Sequence, residues 1–418
     1  MKVGIVGAGH VGLPTAGAFA RVGHEVVVTD VDHEKIALLE RGAMPFFEPG
    51  LEELLREGIL AKRISFTSDT GEAVAGAPVV FICVGTPPRR DGEANLAAVE
   101  RSAEDVARYA SEPLVVVEKS TVPFGTGDRV RETMRRVRPD LEFQVVCNPE
   151  FLREGSAVED SLRPGRILVG TSSAEARDAM RQLYEPFVEA GATWIETDIA
   201  TAEIAKHASN AFLALKVSYA NALARICELA GADVLKVADI MGADPRIGRA
   251  HLTAGLGYGG SCFPKDLAAF DRLSRRLGYE FPILAEVARI NEEIIDETFR
   301  KIEAALWNLE EKRVALLGLA FKPGTDDVRF APALALAQRL LDAGVSVVGY
   351  DPQAAAGAKA EVPAMELAGD PYSALDGAHC AVLCTEWPEL RALDPDTFVA
   401  AGFTYVPLGR PTLAPSRT

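Results

Sequence analysis

The feature that most constrains the fold is the run Gly7-Ala8-Gly9-His10-Val11-Gly12. It follows a short apolar segment with the pattern of a β-strand, and it opens a segment with the periodicity of an α-helix. Here Gly7 allows a tight turn, Gly9 lets the backbone approach a pyrophosphate, and Gly12 lets helix and strand pack closely. The helix start then directs its free N–H groups at the phosphates. The sequence therefore predicts a dinucleotide-binding βαβ unit; the alternative is a glycine-rich turn without a cofactor.

Polar residues at later strand ends refine this prediction. Asp30 follows the next predicted strand, and a carboxylate there accepts hydrogen bonds from ribose hydroxyls and repels a 2′-phosphate. NAD is therefore favoured over NADP. Thr86 and Thr121 each follow another predicted strand, where open α/β sheets bind their ligands. The alternative for each threonine is a helix cap.

Strand-like and helix-like segments alternate in two stretches of the chain. The first stretch has continuous Val/Ile strands, which are typical of a parallel sheet covered on both faces. From Thr201 helical periodicity dominates, with long helices predicted over Ala202–Ala230, ending at Gly231, and from Pro282 towards Leu309. The α/β pattern resumes at Arg313. We therefore predict an α/β fold with a Rossmann-like domain over 1–200, a central long-helix domain over 201–308, and a second Rossmann-like domain over 309–418.

Composition and charge exclude several classes of protein. The net charge of −16 disfavours nucleic acid and an anionic membrane as partners. The N-terminal residues lack the regions of a signal peptide, and no apolar run reaches the roughly 18 residues that span a bilayer. The six cysteines are scattered, without the clusters typical of a metal site. We therefore expect a cytoplasmic protein that binds no metal.

Cys262 has a different setting from the other cysteines. Three glycines lie within the five residues before it, which leaves the backbone open to a ligand. Lys265 and Asp266 follow closely. The thiolate is the nucleophilic form of cysteine, and a nearby cation lowers the pKa of a thiol. We therefore interpret Cys262 as a nucleophile; the alternative is an inert packing thiol.

Two pairs of polar residues have the spacing of one helical turn. Lys206 and Asn210 lie on the predicted long helix among small and apolar residues, so their side chains share one face. Glu150 and Glu154 would also share a face if their segment were helical, and paired acids can divide general-base and positioning roles. The alternatives are a solvated helix face for the first pair and a capping or salt-bridged surface turn for the second.

Motifs spread over nearly the whole chain resemble the UDP-glucose/GDP-mannose dehydrogenase family. In chain order they are GAGHVGL, CVGTP, KSTVPFGT, NPEFLREG, AEIAKHASNAFLALK, DPRIG, GYGGSCFPKD, GLAFKPGTDDVR and CTEWPE. The combination of NPEFLREG with GGSCFPKD is highly specific. The resemblance implies an NAD domain, a central helical dimerisation domain and a nucleotide-sugar domain. It also implies a homodimer that oxidises the primary alcohol of a nucleotide-sugar to a carboxylate in two hydride steps.

The resemblance further implies a role for each catalytic candidate. Cys262 matches the nucleophile, which adds to the aldehyde of the first oxidation and becomes a thioester in the second. Lys206 and Asn210 match the groups that stabilise the oxyanion. Asp266 and Thr121 match the pair that holds a catalytic water. These five residues therefore form the expected centre of the reaction.

The resemblance assigns the remaining site residues to acid–base chemistry, cofactor or substrate. Glu150 matches the acid/base residue and Glu154 the acid near the nicotinamide, while Arg246 matches an arginine that reaches the partner subunit's substrate. The cofactor-binding residues implied are Gly7, Gly9, Val11, Gly12, Asp30, Lys35, Thr86, Thr121, Glu154, Lys265 and Arg329. The substrate-binding residues implied are Glu150, Phe151, Leu152, Lys206, Asn210, Arg246, Tyr258, Gly259, Lys322 and Arg410.

Within the family, DPRIG together with GYGGSCFPKD is typical of the branch that oxidises UDP-glucose to UDP-glucuronate. GDP-mannose, or another UDP-hexose, oxidised by the same mechanism is the first alternative. A two-electron dehydrogenase of the 3-hydroxy-acid type is an alternative of another class, although it needs neither a second α/β domain nor the GGSCFPKD loop. A non-catalytic NAD-binding protein is the third alternative. The joint presence of Cys262, Lys206, Asn210 and Asp266 argues against it.

Overall fold

The computed structural model describes residues 1–89 and 93–393, together with the backbone of the short strand Thr404–Tyr405. The chain divides into two compact units, Met1–Ser209 and Asn210–Thr418. The predicted boundaries at residues 200 and 308 divide the chain more finely and stay predictions.

The first unit is built on eight strands. They are β1 Lys2–Val6, β2 Glu25–Thr29, β3 Ile64–Thr67, β4 Val79–Ile82, β5 Leu114–Glu118, β6 Phe143–Cys147, β7 Arg166–Gly170 and β8 Thr193–Thr197. Its helices are α1 Gly12–Arg21, α2 His33–Glu40, α3 Leu51–Leu60, α4 Thr70–Val74, α5 Ala97–Tyr109, α6 Thr126–Val137, α7 Ala157–Leu162 and α8 Ala174–Glu189. The long helix α9, Ile199–Ala230, begins in this unit and continues into the second.

The strands form one sheet in the order β3-β2-β1-β4-β5-β6-β7-β8. Alternate residues of the apolar strands enter different cores, which is how both faces of the sheet are covered. Phe81 packs in the same core as Phe19 of α1, whereas its neighbour Val80 packs in a second core with Val106 of α5 and Met134 of α6. The predicted doubly covered sheet is therefore confirmed.

The sheet is parallel as predicted except at one junction. Strands β6 and β7 pair antiparallel, through Cys147 and Gly170, while the other neighbours are parallel. A parallel neighbour requires a crossover connection, usually through a helix of some length. The connection between β6 and β7 carries only the six-residue helix α7. An antiparallel return, which needs no crossover, takes its place.

The second unit combines long helices with a smaller sheet. After α9 come the helices α10 Val234–Gly242, α11 Phe263–Arg276, α12 Pro282–Leu306, α13 Pro332–Asp342, α14 Ala355–Glu361, α15 Pro371–Leu375 and α16 Pro388–Arg391. The strands are β9 Arg313–Leu317, β10 Ser346–Tyr350, β11 Glu366–Leu367, β12 Cys380–Leu383 and β13 Thr404–Tyr405. They pair in parallel in the order β11-β10-β9-β12-β13.

The two long helices differ slightly from their predicted bounds. Helix α9 starts three residues before Ala202, because Asp198 accepts hydrogen bonds from the N–H and hydroxyl of Thr201 and caps the helix. It ends as predicted before Gly231, whose φ of 69° is left-handed. Helix α12 ends at Leu306, because Trp307 leaves helical geometry with a φ of 63°. No helix in the described ranges is long and apolar enough to cross a membrane.

The two sheets repeat one local arrangement. Each places a glycine with positive φ after its first strand, Gly7 at 110° and Gly318 at 88°. Each also places an aspartate after its second strand, Asp30 and Asp351. Asp30 accepts the backbone N–H of Ala8 at 2.8 Å. Asp351 is buried and accepts five donors, the N–H groups of Leu319, Ala320, Gln353 and Ala354 and the indole of Trp387.

Candidate active site

The glycine run forms the turn between β1 and α1. A side chain on Gly7 would place its Cβ 2.5 Å from the carbonyl oxygen of Cys83, and one on Gly12 would collide with the carbonyl of Gly7. These two glycines are therefore required by the packing of the protein itself. A Cβ on Gly9 would meet no atom within 4 Å. The open space at Gly9 is where a dinucleotide pyrophosphate can approach the backbone, so the turn fits NAD.

Asp30 lies beside this turn at the end of β2. It accepts hydrogen bonds from the N–H of Ala8 at 2.8 Å, the N–H of Asp32 at 3.0 Å and the ammonium of Lys35 at 3.0 Å. Burial by itself would raise the pKa of Asp30, but these hydrogen bonds outweigh burial and lower the pKa below its ordinary value of 3.8. The carboxylate is therefore ionised at neutral pH and would repel a 2′-phosphate.

Other predicted cofactor residues also lie on strand and helix ends. Val11 occupies the N-cap of α1 and makes no side-chain capping hydrogen bond. Thr86 is buried, and its hydroxyl donates to the carbonyl of Thr121 at 2.9 Å. Neither threonine is a helix cap, since the N-caps of α5 and α6 are Leu96 and Gly125. The structure therefore joins the two loops after β4 and β5 through this hydrogen bond.

Lys206 and Glu150 form a buried ion pair. The ammonium of Lys206 lies 2.9 Å from Oε1 of Glu150, and Oε2 of Glu150 accepts the N–H of Leu152 at 2.6 Å. The ammonium also lies 5.3 Å from the centre of the Phe151 ring. Lys206 is therefore buried and directed at an anionic group, and the alternative of a solvated helix face is wrong.

The segment that carries Glu150 and Glu154 is a loop rather than a helical turn. Helix α7 begins only at Ala157, and Gly155 adopts a φ of 76° that a helix does not allow. The condition under which Glu150 and Glu154 would share a helix face is therefore not met.

Glu48, which no sequence pattern indicated, holds this loop. Its carboxylate is buried and accepts the N–H groups of Gly155 and Ala157, each at 2.7 Å. Glu48 thus lies at the start of α7, where a negative charge is favoured. The only sequence signal was a lone acid before Pro49-Gly50, which does not indicate a partner more than a hundred residues away.

A buried polar cluster behind the loop was also missed. The ammonium of Lys119 donates to Oδ1 of Asn148 at 3.0 Å and to the hydroxyl of Tyr184 at 3.2 Å. Burial lowers the pKa of Lys119. A cavity of about 140 Å³ adjoins this cluster, and Glu150 and Arg166 also line it. A lysine directly after an apolar strand was the available signal.

Glu118, the last residue of β5, is completely buried. Within the described ranges neither of its carboxylate oxygens has a hydrogen-bond partner. Burial, together with the nearby charge of Glu203, raises its pKa well above 4.5. Glu203 itself accepts the N–H groups of Gly125 and Gly127 at 2.7 and 2.9 Å. Burial raises the pKa of Glu203 as well, but its backbone hydrogen bonds oppose that rise. Glu118 is therefore the member of this pair that holds its proton more strongly.

Cys262 lies in the second unit, at the N-cap of α11. Its thiol is partly exposed and lies 3.6 Å from the hydroxyl of Ser261. Four of the other cysteines are buried, namely Cys83, Cys147, Cys227 and Cys380. A helix start favours a negative charge, so the position suits a thiolate. Cys384 is also only partly buried, so exposure alone does not separate a nucleophile from a packing thiol, and the role of Cys262 stays a prediction.

The side chain of Asp266 is fixed from two sides. It has no exposed surface, and its Oδ2 accepts the amide of Asn210 at 2.6 Å. Its Oδ1 accepts the ammonium of Lys265 at 2.7 Å. The N–H of Asp266 donates to the carbonyl of Cys262 at 2.9 Å. The structure thus pairs Asn210 with Asp266, while the lowering of the thiol pKa by Lys265 stays a prediction.

Two of the predicted arginines pair with neighbouring acids. Arg246 is exposed, and its Nη2 lies 2.6 Å from Oδ2 of Asp244. Arg329 makes the same kind of contact with Asp327, with Nη2 2.7 Å from Oδ2. Each guanidinium group therefore contacts an acid two residues before it in the chain.

The remaining predicted substrate residues lie around one loop of the second unit. Tyr258 is buried, and a Cβ on Gly259 would collide with the carbonyl of Phe330. The ammonium of Lys322 lies 5.5 Å from the centre of the Phe321 ring. Arg410 lies outside the described residues.

Comparison with known proteins identifies three consecutive matches to the UDP-glucose/GDP-mannose dehydrogenase family. Its NAD binding domain matches residues 1–188, its central domain 200–293 and its UDP binding domain 315–404.

Individual proteins are similar over the full chain. The UDP-glucose 6-dehydrogenase of Pseudomonas aeruginosa is 43% identical, over 100% of this chain and 95% of its own length. That of Rhizobium meliloti is 42% identical, over 98% and 100%. The structure of a UDP-glucose dehydrogenase from Pyrobaculum islandicum superposes with a TM-score of 0.93 at 39% identity, covering 99% of this chain and 94% of that one.

Proposed function

The chain belongs to the UDP-glucose/GDP-mannose dehydrogenase family, and from this premise we propose that it oxidises UDP-glucose to UDP-glucuronate with NAD. The observation that carries the proposal is the position of the partly exposed Cys262 at the start of α11, one turn from the buried Asp266. A two-electron alcohol dehydrogenase has no use for a nucleophile there, whereas a four-electron enzyme does.

The proposed chemistry converts an aldehyde into an acid through the sulfur of Cys262. NAD, when bound, accepts a hydride in each of the two oxidations. After the first oxidation, Cys262 Sγ forms a bond to the carbon of the C6 aldehyde. The aldehyde oxygen takes up a proton and becomes a hydroxyl, and the product is a thiohemiacetal. The second oxidation removes a hydride from that carbon and a proton from its hydroxyl, and leaves a thioester. Water then adds, the S–C bond breaks, and the carboxylate and the thiol are released.

Covalent capture answers two chemical problems at once. An aldehyde gives up a hydride poorly until a nucleophile makes it tetrahedral, and a free aldehyde would also escape. The buried cation of Lys206 and the amide of Asn210 are proposed to stabilise the oxyanion. Asp266 and Thr121 are proposed to hold the hydrolytic water. Asn210 already fixes the Asp266 carboxylate, which supports a positioned rather than a mobile base.

Glu150 is proposed as the acid/base residue and Glu154 as the acid near the nicotinamide. The contact of Glu150 with Lys206 supports this, because proton transfer to or from Glu150 changes the charge beside the proposed oxyanion.

The NAD site is proposed on the glycine turn and the strand ends of the first unit. The open approach at Gly9 and the ionised Asp30 support it. The residues that would hold the cofactor are Gly7, Gly9, Val11, Gly12, Asp30, Lys35, Thr86, Thr121, Glu154, Lys265 and Arg329. Those proposed to bind the nucleotide-sugar are Glu150, Phe151, Leu152, Lys206, Asn210, Arg246, Tyr258, Gly259, Lys322 and Arg410. The domain bounds proposed are 1–200, 201–308 and 309–418, the last being the UDP-sugar domain.

We also propose that the protein is a cytoplasmic homodimer, paired through α9. Large apolar side chains recur every seven residues on the helix and are exposed, with Phe212 at 62%, Tyr219 at 50% and Ile226 at 62%. A seven-residue repeat keeps apolar residues on nearly one face, as in paired helices. Arg246 would then reach the partner subunit's substrate. Sedimentation at micromolar concentration checks the dimer, and charged substitutions at Tyr219 and Ile226 are expected to give monomers.

The experiment that tests the activity is a panel of UDP-glucose, GDP-mannose, UDP-N-acetylglucosamine and UDP-galactose, each incubated with NAD. Two NADH per UDP-glucose consumed, without free aldehyde, is the expected result. Two NADH per GDP-mannose, and none with UDP-glucose, would change the substrate assignment but would still support the proposed mechanism. One NADH per sugar would contradict the thioester scheme, and no NADH with any of the four would contradict the enzyme assignment.

A further inference from the structure

In the glycine-rich loop before Cys262, the side chain of Asn291 binds both the N–H and the carbonyl of Tyr258. Asn291 of α12 accepts the N–H of Tyr258 through Oδ1 at 2.7 Å and donates from Nδ2 to the Tyr258 carbonyl at 3.0 Å. An asparagine amide that bonds both groups of one residue fixes its position and its orientation. The two hydrogen bonds therefore make Asn291 the main tether in the middle of this loop.

The backbone on the N-terminal side of Tyr258 is adapted to this contact. Gly257 has a φ of 106°, and a Cβ there would lie 2.5 Å from Oδ1 of Asn291. Two residues earlier, the N–H of Gly255 donates to Oδ1 of Asn221 on α9 at 2.8 Å. Asn221 is itself almost completely buried. Two long helices therefore hold the first half of the loop.

The second half of the loop leads directly to the thiol. Gly260 has a φ of 78°, donates its N–H to the carbonyl of Arg329 at 2.9 Å, and faces the ring of Phe321. Only Ser261 separates Gly260 from Cys262, and the carbonyl of Cys262 accepts the N–H of Asp266 in α11. The position of the sulfur is thus set by α11 on one side and by the tethered loop on the other.

The loop cannot hold this shape by itself. Gly255, Gly257, Gly259 and Gly260 leave four of its six positions from 255 to 260 without a side chain, and glycine has the greatest backbone freedom. We propose that Asn291 is a positioning residue for Cys262, which acts by fixing Tyr258 and hence the approach of the sulfur to its substrate carbon. The catalytic part of this proposal rests on the proposed function, whereas the tether itself does not.

Hydrogen exchange of the full chain tests the tether without any substrate. Asn291→Ala removes both hydrogen bonds, so exchange of the peptide that contains Tyr258 is expected to accelerate about tenfold or more. Asn291→Asp keeps an acceptor for the Tyr258 N–H but places an oxygen against the Tyr258 carbonyl, and an intermediate acceleration is expected. Glu303→Gln, at an exposed position of the same helix, is the matched control and should exchange like the parent.

Two further measurements test the positioning role. For Asn291→Ala, kcat with UDP-glucose should fall roughly ten- to a hundredfold, while KM for NAD stays within about twofold, because a small misplacement of a reacting group is costly. Alkylation of Cys262 by iodoacetamide, located by peptide mass mapping, should become faster than in the parent. Asn291→Asp should again be intermediate, and it serves as the test variant if the alanine variant does not fold.

The possible results distinguish the structural claim, that Asn291 holds the loop, from the catalytic claim, that it positions Cys262. Unchanged exchange in both Asn291 variants overturns the tether. Faster exchange with unchanged kcat and unchanged alkylation overturns the positioning role. If the parent oxidises none of the sugar nucleotides, the proposed function fails, and the exchange and alkylation rates still decide whether Asn291 positions the thiol.

Discussion

The ammonium of Lys206 lies 2.9 Å from the carboxylate of Glu150, and the two side chains are only 4% and 6% exposed. Removing one member of a buried pair leaves the other charge without compensation, which costs about 3–5 kcal/mol. We expect Lys206→Met to lower the free energy of unfolding by an amount in this range. The double variant Lys206→Met/Glu150→Gln should recover much of the loss. Urea unfolding of these two variants and of Glu150→Gln measures the coupling, and simple additivity of the two substitutions would contradict it.

Alanine substitutions in the glycine turn should affect protein stability at one position and cofactor binding at another. A Cβ on Gly12 collides with the carbonyl of Gly7, so Gly12→Ala should cost about 1–3 kcal/mol or more of stability. Gly9→Ala meets no neighbour and should unfold like the parent, yet it should weaken NAD binding about tenfold or more. Thermal unfolding and calorimetric titration with NAD test the Gly12→Ala and Gly9→Ala variants. Equal NAD affinity in Gly9→Ala and the parent would argue against a pyrophosphate at this turn.

Substitution of the nucleophile should stop the second half of the reaction. In Cys262→Ser the weaker hydroxyl nucleophile replaces the thiol, so uronate formation should fall by about three orders of magnitude or more. NAD should bind as in the parent, because its proposed turn lies in the other unit of the chain. Product analysis by mass spectrometry and NAD titration test both statements. Uronate at the parental rate would rule out the covalent scheme.

Glu118 makes stability depend on pH. Its carboxyl is buried and its pKa is raised well above 4.5, so the unfolded chain loses this proton at lower pH than the folded one. Its contribution to stability is therefore fully present below pH 4.5 and is lost as the pH rises towards the folded pKa. Glu118→Gln has no proton to lose. The variant should equal the parent near pH 4 and exceed it by about 1–3 kcal/mol at pH 8.

Denaturant unfolding at these two pH values checks the prediction. Glu203→Gln is a useful comparison, because the Glu203 carboxylate accepts two backbone N–H groups and its loss should destabilise the protein instead. A Glu118→Gln variant that is less stable than the parent at pH 8 would contradict a neutral, unpartnered carboxyl.

Local patterns predicted much of this fold. The spacing of Gly7, Gly9 and Gly12 defined the turn, since each glycine acts on backbone within a few residues. The continuous apolar runs predicted the strands, and the 3.6-residue period predicted α9 to within three residues at its start. These features depend on short-range sterics, which a single sequence carries in full.

Features that depend on distant partners were not predictable. Glu48 and Gly155 are 107 residues apart, and Asn291 and Tyr258 are 33 apart. Nothing near Glu48 or Asn291 indicates which backbone group each would bind. The four-residue spacing of Glu150 and Glu154 was misleading for a related reason, because the loop is held open by a contact from elsewhere in the chain. The strands, the long helix and the glycine turn were therefore easier to predict than the side-chain contacts that hold the loops.

The contrast between Asp30 and Asp351 has a practical consequence for redesign. The two aspartates occupy equivalent corners of similar sheets, but five donors surround Asp351 whereas Asp30 is held by three. Exchanging Asp30 to accommodate a phosphorylated cofactor is therefore expected to remove fewer hydrogen bonds than exchanging Asp351. The same exchange at Asp351 would leave five donors without their acceptor and destabilise the second sheet. Of the two equivalent positions, only Asp30 is therefore suited to a change of cofactor preference.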